Sequence, residues 1–265
     1  MSSGRGRRFT RMTQLLEGKN AIIYGAGGGI GSGVARTFAR EGANLFLVGR
    51  TREPLEAVAA EVGGEVAVLD ALDERAVDEH VRSVGPIDVS FNLITRGDVQ
   101  GTPLIEMTTE QLTGAVTAGL SATFITARAA ARAMVAQGSG VILGLTSGSA
   151  RGTQPGMGST GPADAATEAF LRYLAAEVGP AGVRVLGIYT AGVAETLSAD
   201  KLATVNPALA GIDVQMVVDG LAAATMLRRA PALDQVAEVA AFLASDRSGA
   251  LTGTIVNATC GLVPG

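Results

Sequence analysis

The chain has 265 residues, a length that suits one large α/β domain, and its 47% hydrophobic and 17% charged composition supplies a sizeable core and excludes a disordered chain. A net charge of -4 argues against a surface that tracks nucleic-acid phosphates, and no apolar run approaches the roughly 18 residues of a membrane span. One cysteine, Cys260, and one histidine, His80, exclude an internal disulfide and a Cys/His metal site, which fits a reducing, cytoplasmic compartment.

Residues 1–16 carry Arg5, Arg7, Arg8 and Arg11 among small polar residues, without apolar periodicity or a signal-peptide core, and read as a solvated basic arm. Residues 17–265 read as a single domain in which short aliphatic runs alternate with helical patterns. The runs lie at 21–25, 44–49, 65–70, 87–94, 140–146, 183–189 and 254–259, and the helical patterns at 31–41, 53–62, 73–83, 109–136, 160–178 and 233–245. The runs are apolar throughout, as strands covered on both faces require. Right-handed crossovers then predict a doubly wound, Rossmann-like three-layer α/β fold around a seven-stranded parallel sheet. Ligands of such sheets bind beyond the carboxyl ends of the strands, so the residues that follow each strand are the candidates.

The first strand runs into YGAGGGIGSGVA at 24–35, where Gly25, Gly29 and Gly31, with Ile30 between the last two, allow a tight turn. Backbone amides there can approach a pyrophosphate at a helix N-terminus. The second strand ends at Gly49, where an acidic residue would hold a free ribose hydroxyl, and Arg50 follows. A guanidinium suits a 2'-phosphate and favours NADP(H) over NAD(H), the alternative being a solvated arginine. Asp70 and Ala71 close the third strand.

On these motifs, and on VAEVAAFLASD at 236–246 and LTGTIV at 251–256, residues 17–261 resemble the short-chain dehydrogenase/reductase family. The resemblance implies that Asp70 and Ala71 meet the adenine, a helix N-cap being the alternative for Asp70. It also implies that Asn92, kept from a fourth-strand NNAG motif that reads Asn92, Leu93, Ile94, Thr95 here, lies along the cofactor. Val193 would meet the nicotinamide carboxamide and Thr196 the phosphates. Ser147, in GLTSGSA, would polarise a substrate carbonyl, with Thr146 and Ser149 close by.

The family's YxxxK motif starts thirteen residues after that serine, where this chain has Thr160, with Asp164 at the lysine position and Gly119 at that of the helix asparagine. An aliphatic hydroxyl is a far weaker acid than a phenol, and an anionic Asp164 opposes ionisation where a lysine promotes it. Two other groups are candidates for the proton: Tyr189, ending the sixth strand, and Asp164 itself if burial raises its pKa. Their alternatives are core packing for Tyr189 and a dipole-stabilised first-turn carboxylate for Asp164. Pro162 suits a first turn, so the helix is expected to begin near Thr160 or Gly161. Tyr173 reads as a packing or interface residue, His80 as a solvated histidine and Cys260 as a small buried one.

Residues 197–227 form an apolar insertion where the family carries a substrate lid, which predicts a small apolar ligand with Arg96, Gln154 and Tyr189 as polar lining. The alanine-rich helices at 109–136 and 160–178 pack across a dimer interface in the family, so a homodimer or homotetramer is expected. The functional reading is an NAD(P)(H)-binding oxidoreductase of atypical mechanism acting on an apolar carbonyl or alcohol. The alternatives are a non-redox dehydratase, cyclase or isomerase, and an inactive cofactor-binding sensor or partner subunit.

Overall fold

A computed structural model describes residues 14–264. Seven strands form one parallel sheet in the order β3-β2-β1-β4-β5-β6-β7. They are β1 (Asn20–Tyr24), β2 (Asn44–Gly49), β3 (Glu65–Val68), β4 (Val89–Asn92), β5 (Gly140–Ser147), β6 (Val183–Thr190) and β7 (Ile255–Ala258). All seven expected strands are present, most of them trimmed at an end. The edge strands β3 and β7 are only partly buried because each has a single neighbour, whereas β1, β4 and β6 are almost wholly enclosed.

Side-chain alternation divides the core between two faces. Ile23, Leu47, Phe91, Leu143 and Ile188 meet Val34 and Phe38 of α1 (Gly29–Arg40), Leu55 of α2 (Arg52–Val62) and Ala240 of α8 (Leu233–Ala244). On the other face Ile22, Tyr24, Ile142 and Val185 meet Val77 of α3 (Glu74–Val84), Met134 of α4 (Thr109–Gln137) and Leu171 of α5 (Thr160–Val178). Each fully buried large aliphatic or aromatic side chain contributes about 1.5–3 kcal/mol. Helix limits follow local chemistry. Asp73 caps α3 by accepting from the Ala76 amide, while Thr108 and Gln111 form a capping box that opens α4. Helix α5 begins at Thr160, with Pro162 in its first turn as its fixed φ favours.

The basic arm expected at 1–16 lies outside the described residues for 1–13, and its last residues are part of the domain. Leu16 is fully buried, and the Gln14 amide donates to the Arg40 carbonyl at 2.7 Å. The 197–227 insertion holds two helices, α6 (Ala199–Val205) and α7 (Val214–Ala224), and α7 buries none of its residues. His80 is half-buried rather than solvated, since α3 lays it toward the sheet edge near Glu65; burial lowers its pKa and leaves Nδ1 without a partner. Cys260 is likewise only half-buried, in a turn where its own φ is 55°.

The chain leaves β1 for β2 and β3 on one side and returns to β4 on the other, so the sheet reverses direction between β1 and β4. The strand ends Tyr24 and Asn92 are paired there, and Ser147 and Thr190 are paired at the ends of β5 and β6. One edge of the sheet therefore gathers the candidate residues, as a topological switch point does.

Candidate active site

The turn after β1 is built for close backbone approach. Gly25 has φ of 82°, and a Cβ on it would lie 2.7 Å from the Leu93 carbonyl oxygen. A Cβ on Gly31 would lie 2.1 Å from the Gly25 carbonyl oxygen, so α1 packs against the turn only with glycine there. Ser32 is the first residue of α1 whose amide reaches back to a turn carbonyl, that of Gly28. The amides of Gly29, Ile30 and Gly31 have no backbone acceptor among the described residues, which leaves an N-terminal donor cluster suited to a pyrophosphate.

Beside this turn is a cavity of about 250 Å³ lined by Tyr24, Gly25, Arg50, Asp70, Ala71 and Ala122, among others. Arg50 is exposed and has no hydrogen bond or ion pair among the described residues, while its neighbour Arg52 pairs with Glu56. Asp70 accepts from the Leu72 amide at 3.0 Å in a tight turn, and Asp73, not Asp70, caps the helix. Tyr24 stands where the motif usually has threonine; its hydroxyl is buried without a partner, and burial raises its pKa. Val193 is buried, and Thr196 lies against Gly29, 2.9 Å from where a Cβ would sit.

Two further cavities continue along the strand ends. One of about 280 Å³ is lined by Ile30, Asn92, Arg96, Ser147, Asp164 and Thr190, among others. The other, of about 720 Å³, shares Arg96, Ser147 and Thr190 and adds the polar Arg151, Gln154 and Thr160 and the apolar Val217, Leu221 and Val263. Helix α7 thus lines this space with the aliphatic side chains of Val217 and Leu221. Asn92 is held structurally: its amide nitrogen lies 3.3 Å from the hydroxyls of both Thr123 and Thr126, and its oxygen accepts from the Ile94 amide. Strand β4 is tied to α4 by this residue.

Asp164 is wholly enclosed. Arg96 Nη1 donates to its Oδ1 at 2.5 Å, and both the hydroxyl and the amide of Ser147 donate to its Oδ2, at 2.5 and 3.1 Å. Burial pushes the Asp164 carboxyl above the usual carboxylate range, with Arg96 and Ser147 holding it partly back. Burial also opposes the charge on Arg96, but Asp164 and Asp98 outweigh it and raise the guanidinium. The Thr160 hydroxyl accepts from the Gln100 amide at 3.1 Å.

Tyr189 corrects an expectation. The register of β6 turns it under α5, where the Arg151 guanidinium covers its ring at 4.6 Å, and it lines neither cavity. Its hydroxyl is buried without a partner, so it is a packed core residue and not a substitute phenol in the crevice. Arg151 also pairs with Glu168 at 3.1 Å. Gly25, Ile30, Arg50, Asp70, Ala71, Asn92, Arg96, Ser147, Gln154, Thr160 and Asp164 therefore line the cavities along the strand ends, whereas Gly29, Gly31, Val193, Thr196 and Tyr189 do not.

Sequence reasoning missed Lys201, whose Nζ lies 3.5 Å from where a Cβ on Gly29 would sit and donates to the Thr196 carbonyl. The available signal was its standing as the only cation in the 197–227 insertion. Asp98, Gln100 and Arg151 were missed as well. They lie in loops whose course no periodicity sets. Among the described residues no cluster of His, Cys, Asp and Glu could hold a metal ion, and no helix is long and apolar enough to cross a membrane.

The geometry describes a Rossmann-type crevice at the strand ends, with a glycine turn on one side and Ser147, Asp164 and Arg96 on the other. Residues 25–263 match the family model described as Enoyl-(Acyl carrier protein) reductase. Oxidoreductase UcpA of Escherichia coli is 32% identical over 250 residues, covering 90% of this chain and 92% of that one. Short-chain reductase protein NovJ of Streptomyces niveus is also 32% identical, over 89% and 91% of the two chains. A solved short-chain type dehydrogenase/reductase from Mycobacterium ulcerans superposes with a TM-score of 0.82 at 25% identity, covering 93% and 90%. The chain belongs to the short-chain dehydrogenase/reductase family of oxidoreductases. Binding of a nicotinamide dinucleotide is the general property of that family, and the glycine turn, the free α1 amides and the adjoining cavity fit such a group.

Proposed function

We propose that this protein is an NADP(H)-dependent oxidoreductase that interconverts a carbonyl and an alcohol on a small, largely apolar molecule, with a catalytic centre unlike the family's usual one. The observation that carries the reading is the continuity of the crevice. Ile30, Leu93, Ile94, Thr95 and Arg96 run from the nucleotide cavity to Ser147, so a cofactor held by the glycine turn would reach the strand ends where Ser147 stands. A bound nicotinamide supplies or accepts the hydride. The chain's own groups do the rest: α1 amides and Lys201 favour the phosphates, Arg50 favours a 2'-phosphate, and Ser147 meets the substrate oxygen.

Val217, Leu221, Leu262 and Val263 favour an apolar body, while Gln154 and Arg151 offer polar contacts at the other end. The continuity of the nucleotide cavity with the cavity that holds Ser147 favours this reading over a purely sensing role. A homodimer or homotetramer through α4 and α5 is part of the proposal, supported by the exposed Tyr173 and Phe124 on those helices. The single cysteine agrees with a cytoplasmic setting.

The test is transfer of deuterium from NADPH labelled at the nicotinamide C4 to a panel of apolar ketones and aldehydes. The expected result is a deuterated alcohol formed at a rate that falls when Ser147 is replaced by alanine. Cofactor binding without transfer to any carbonyl would favour the sensing alternative.

A further inference from the structure

We propose that Asp164 and Ser147 form a two-step proton relay, with Arg96 as its positioning counter-ion, and that this relay replaces the missing tyrosine and lysine. The proposal rests on the oxidoreductase reading. Ser147 is the group that would touch the substrate oxygen, and Asp164 acts through it.

A Cβ on Gly119 of α4 would lie 2.8 Å from Arg96 Cδ, so the missing side chain leaves room for the arginine. Arg96 comes from the loop after β4 and places its Nη1 on Asp164, while its Nε is anchored 2.9 Å from Asp98. The positive charge that the family brings on α5 thus arrives from the opposite wall, and α5 carries the carboxylate that receives it. Glycine at 119, arginine at 96 and aspartate at 164 make one mutually dependent arrangement.

The hydrogen bonds give the relay its direction. With Asp164 ionised, Ser147 spends its hydroxyl proton on Oδ2 and one lone pair on the Ser149 amide at 3.2 Å, and leaves the other lone pair for the cavity. In that state it can accept from an alcohol but cannot donate to a carbonyl. With Asp164 protonated, the carboxyl donates to Ser147 Oγ and frees the serine proton for a carbonyl oxygen. In reduction, where a bound NADPH would supply the hydride to the carbonyl carbon, the carbonyl oxygen takes the Ser147 proton. Ser147 Oγ takes the Asp164 proton in turn, leaving a carboxylate beside Arg96. Solvent in the 280 Å³ cavity, which Ser147 and Asp164 both line, restores that proton through Ser147, and oxidation runs the same steps backward with Asp164 as the base.

The surroundings suit a group that changes charge. Arg96 is the charged side chain bonded to Asp164, and Asp98 stands behind it. Glu168, one turn along α5, is engaged with Arg151, Arg172 and the Thr146 hydroxyl. Among the described residues that line these cavities, α4 contributes Gly119, Ala122 and Thr123, and the lid contributes Val217 and Leu221, none of them charged. Burial holds the carboxyl above its ordinary range, which moves its proton exchange toward working pH.

The test is an infrared titration of the full chain, unliganded and with NADPH, for wild type, Asp164→Asn and Ser147→Ala. The expected result is a protonated-carboxyl band that persists above the ordinary carboxylate range, is missing in D164N and changes frequency in S147A. Carbonyl reduction in the panel should fall about 100-fold or more in D164N, within the range for loss of a positioned acid, while NADPH affinity stays within about twofold. Retained NADPH binding shows that D164N is folded. A band unmoved by S147A, or a D164N protein that reduces carbonyls with the wild-type pH profile, would overturn the relay. Failure of the wild type to bind NADPH would instead remove the oxidoreductase reading, which the carboxyl titration does not depend on.

Discussion

A carboxylate at position 164 makes chemical sense only with Arg96 beside it, and a glycine at 31 only with the Gly25 carbonyl against it. The second dependence gives a sharp prediction. Gly31→Ala puts a methyl group where the turn has about 2.1 Å of room, so the turn must open and the α1 amides lose their common direction. Dinucleotide affinity measured by calorimetry should fall at least tenfold, with loss of thermal stability; unchanged affinity would show that the phosphates lie elsewhere. At this scale the sequence is legible where a motif has fixed spacing, as it does for Gly25, Gly29, Gly31, Ser147 and the Thr160–Asp164 pair. Arg96 as partner of Asp164 is not legible, because 68 residues separate the two and their contact depends on a gap in a third element. Tyr189 misled because a strand end seen in sequence does not say which face of the sheet its last side chain takes.

The elements themselves were readable because buried parallel strands and capped helices leave strong local signals. Thr108 with Gln111, Asp73 and Pro162 each mark a helix start by mechanism. Helix α3 shows the limit of such reading. Its charged sequence suggests a wholly solvated face, yet its seat over the sheet edge half-buries His80 and lowers its pKa. A histidine whose folded pKa lies below its unfolded value costs nothing when both states are neutral. Folded-state stability is therefore intact above the ordinary histidine value of 6.5, and it declines as pH falls below 6.5 toward the lowered folded value. Denaturant unfolding of wild type and His80→Gln at mildly alkaline and mildly acidic pH should show the gap between them shift in favour of the variant on acidification. A gap independent of pH would contradict the burial assigned to this ring.

For the whole molecule, the strand order, which right-handed crossovers allow, brings the ends of β1, β4, β5 and β6 to one edge of the sheet, so the crevice there, from which Tyr189 is turned away, is a consequence of topology. The insertion at 197–227 was visible as an apolar segment, but its division into α6, which carries Lys201 to the glycine turn, and α7, which lines the 720 Å³ cavity, depends on tertiary packing. The exposed Tyr173 and Phe124 support association through α4 and α5. Light scattering should give a dimer or tetramer that Tyr173→Glu weakens, and a monomeric wild type would contradict it.

The nucleotide half of the crevice is expected to bind a nicotinamide dinucleotide and to prefer the phosphorylated one, which titration of the chain with NADPH and NADH side by side at fixed salt tests. Arg50 has no other partner among the described residues, and a charge-assisted contact to a 2'-phosphate is worth about 1.5–3 kcal/mol. NADPH should therefore bind about tenfold or more tighter than NADH, and Arg50→Ala should erase the difference. Binding of neither cofactor, or equal binding that Arg50→Ala leaves unchanged, would contradict the account.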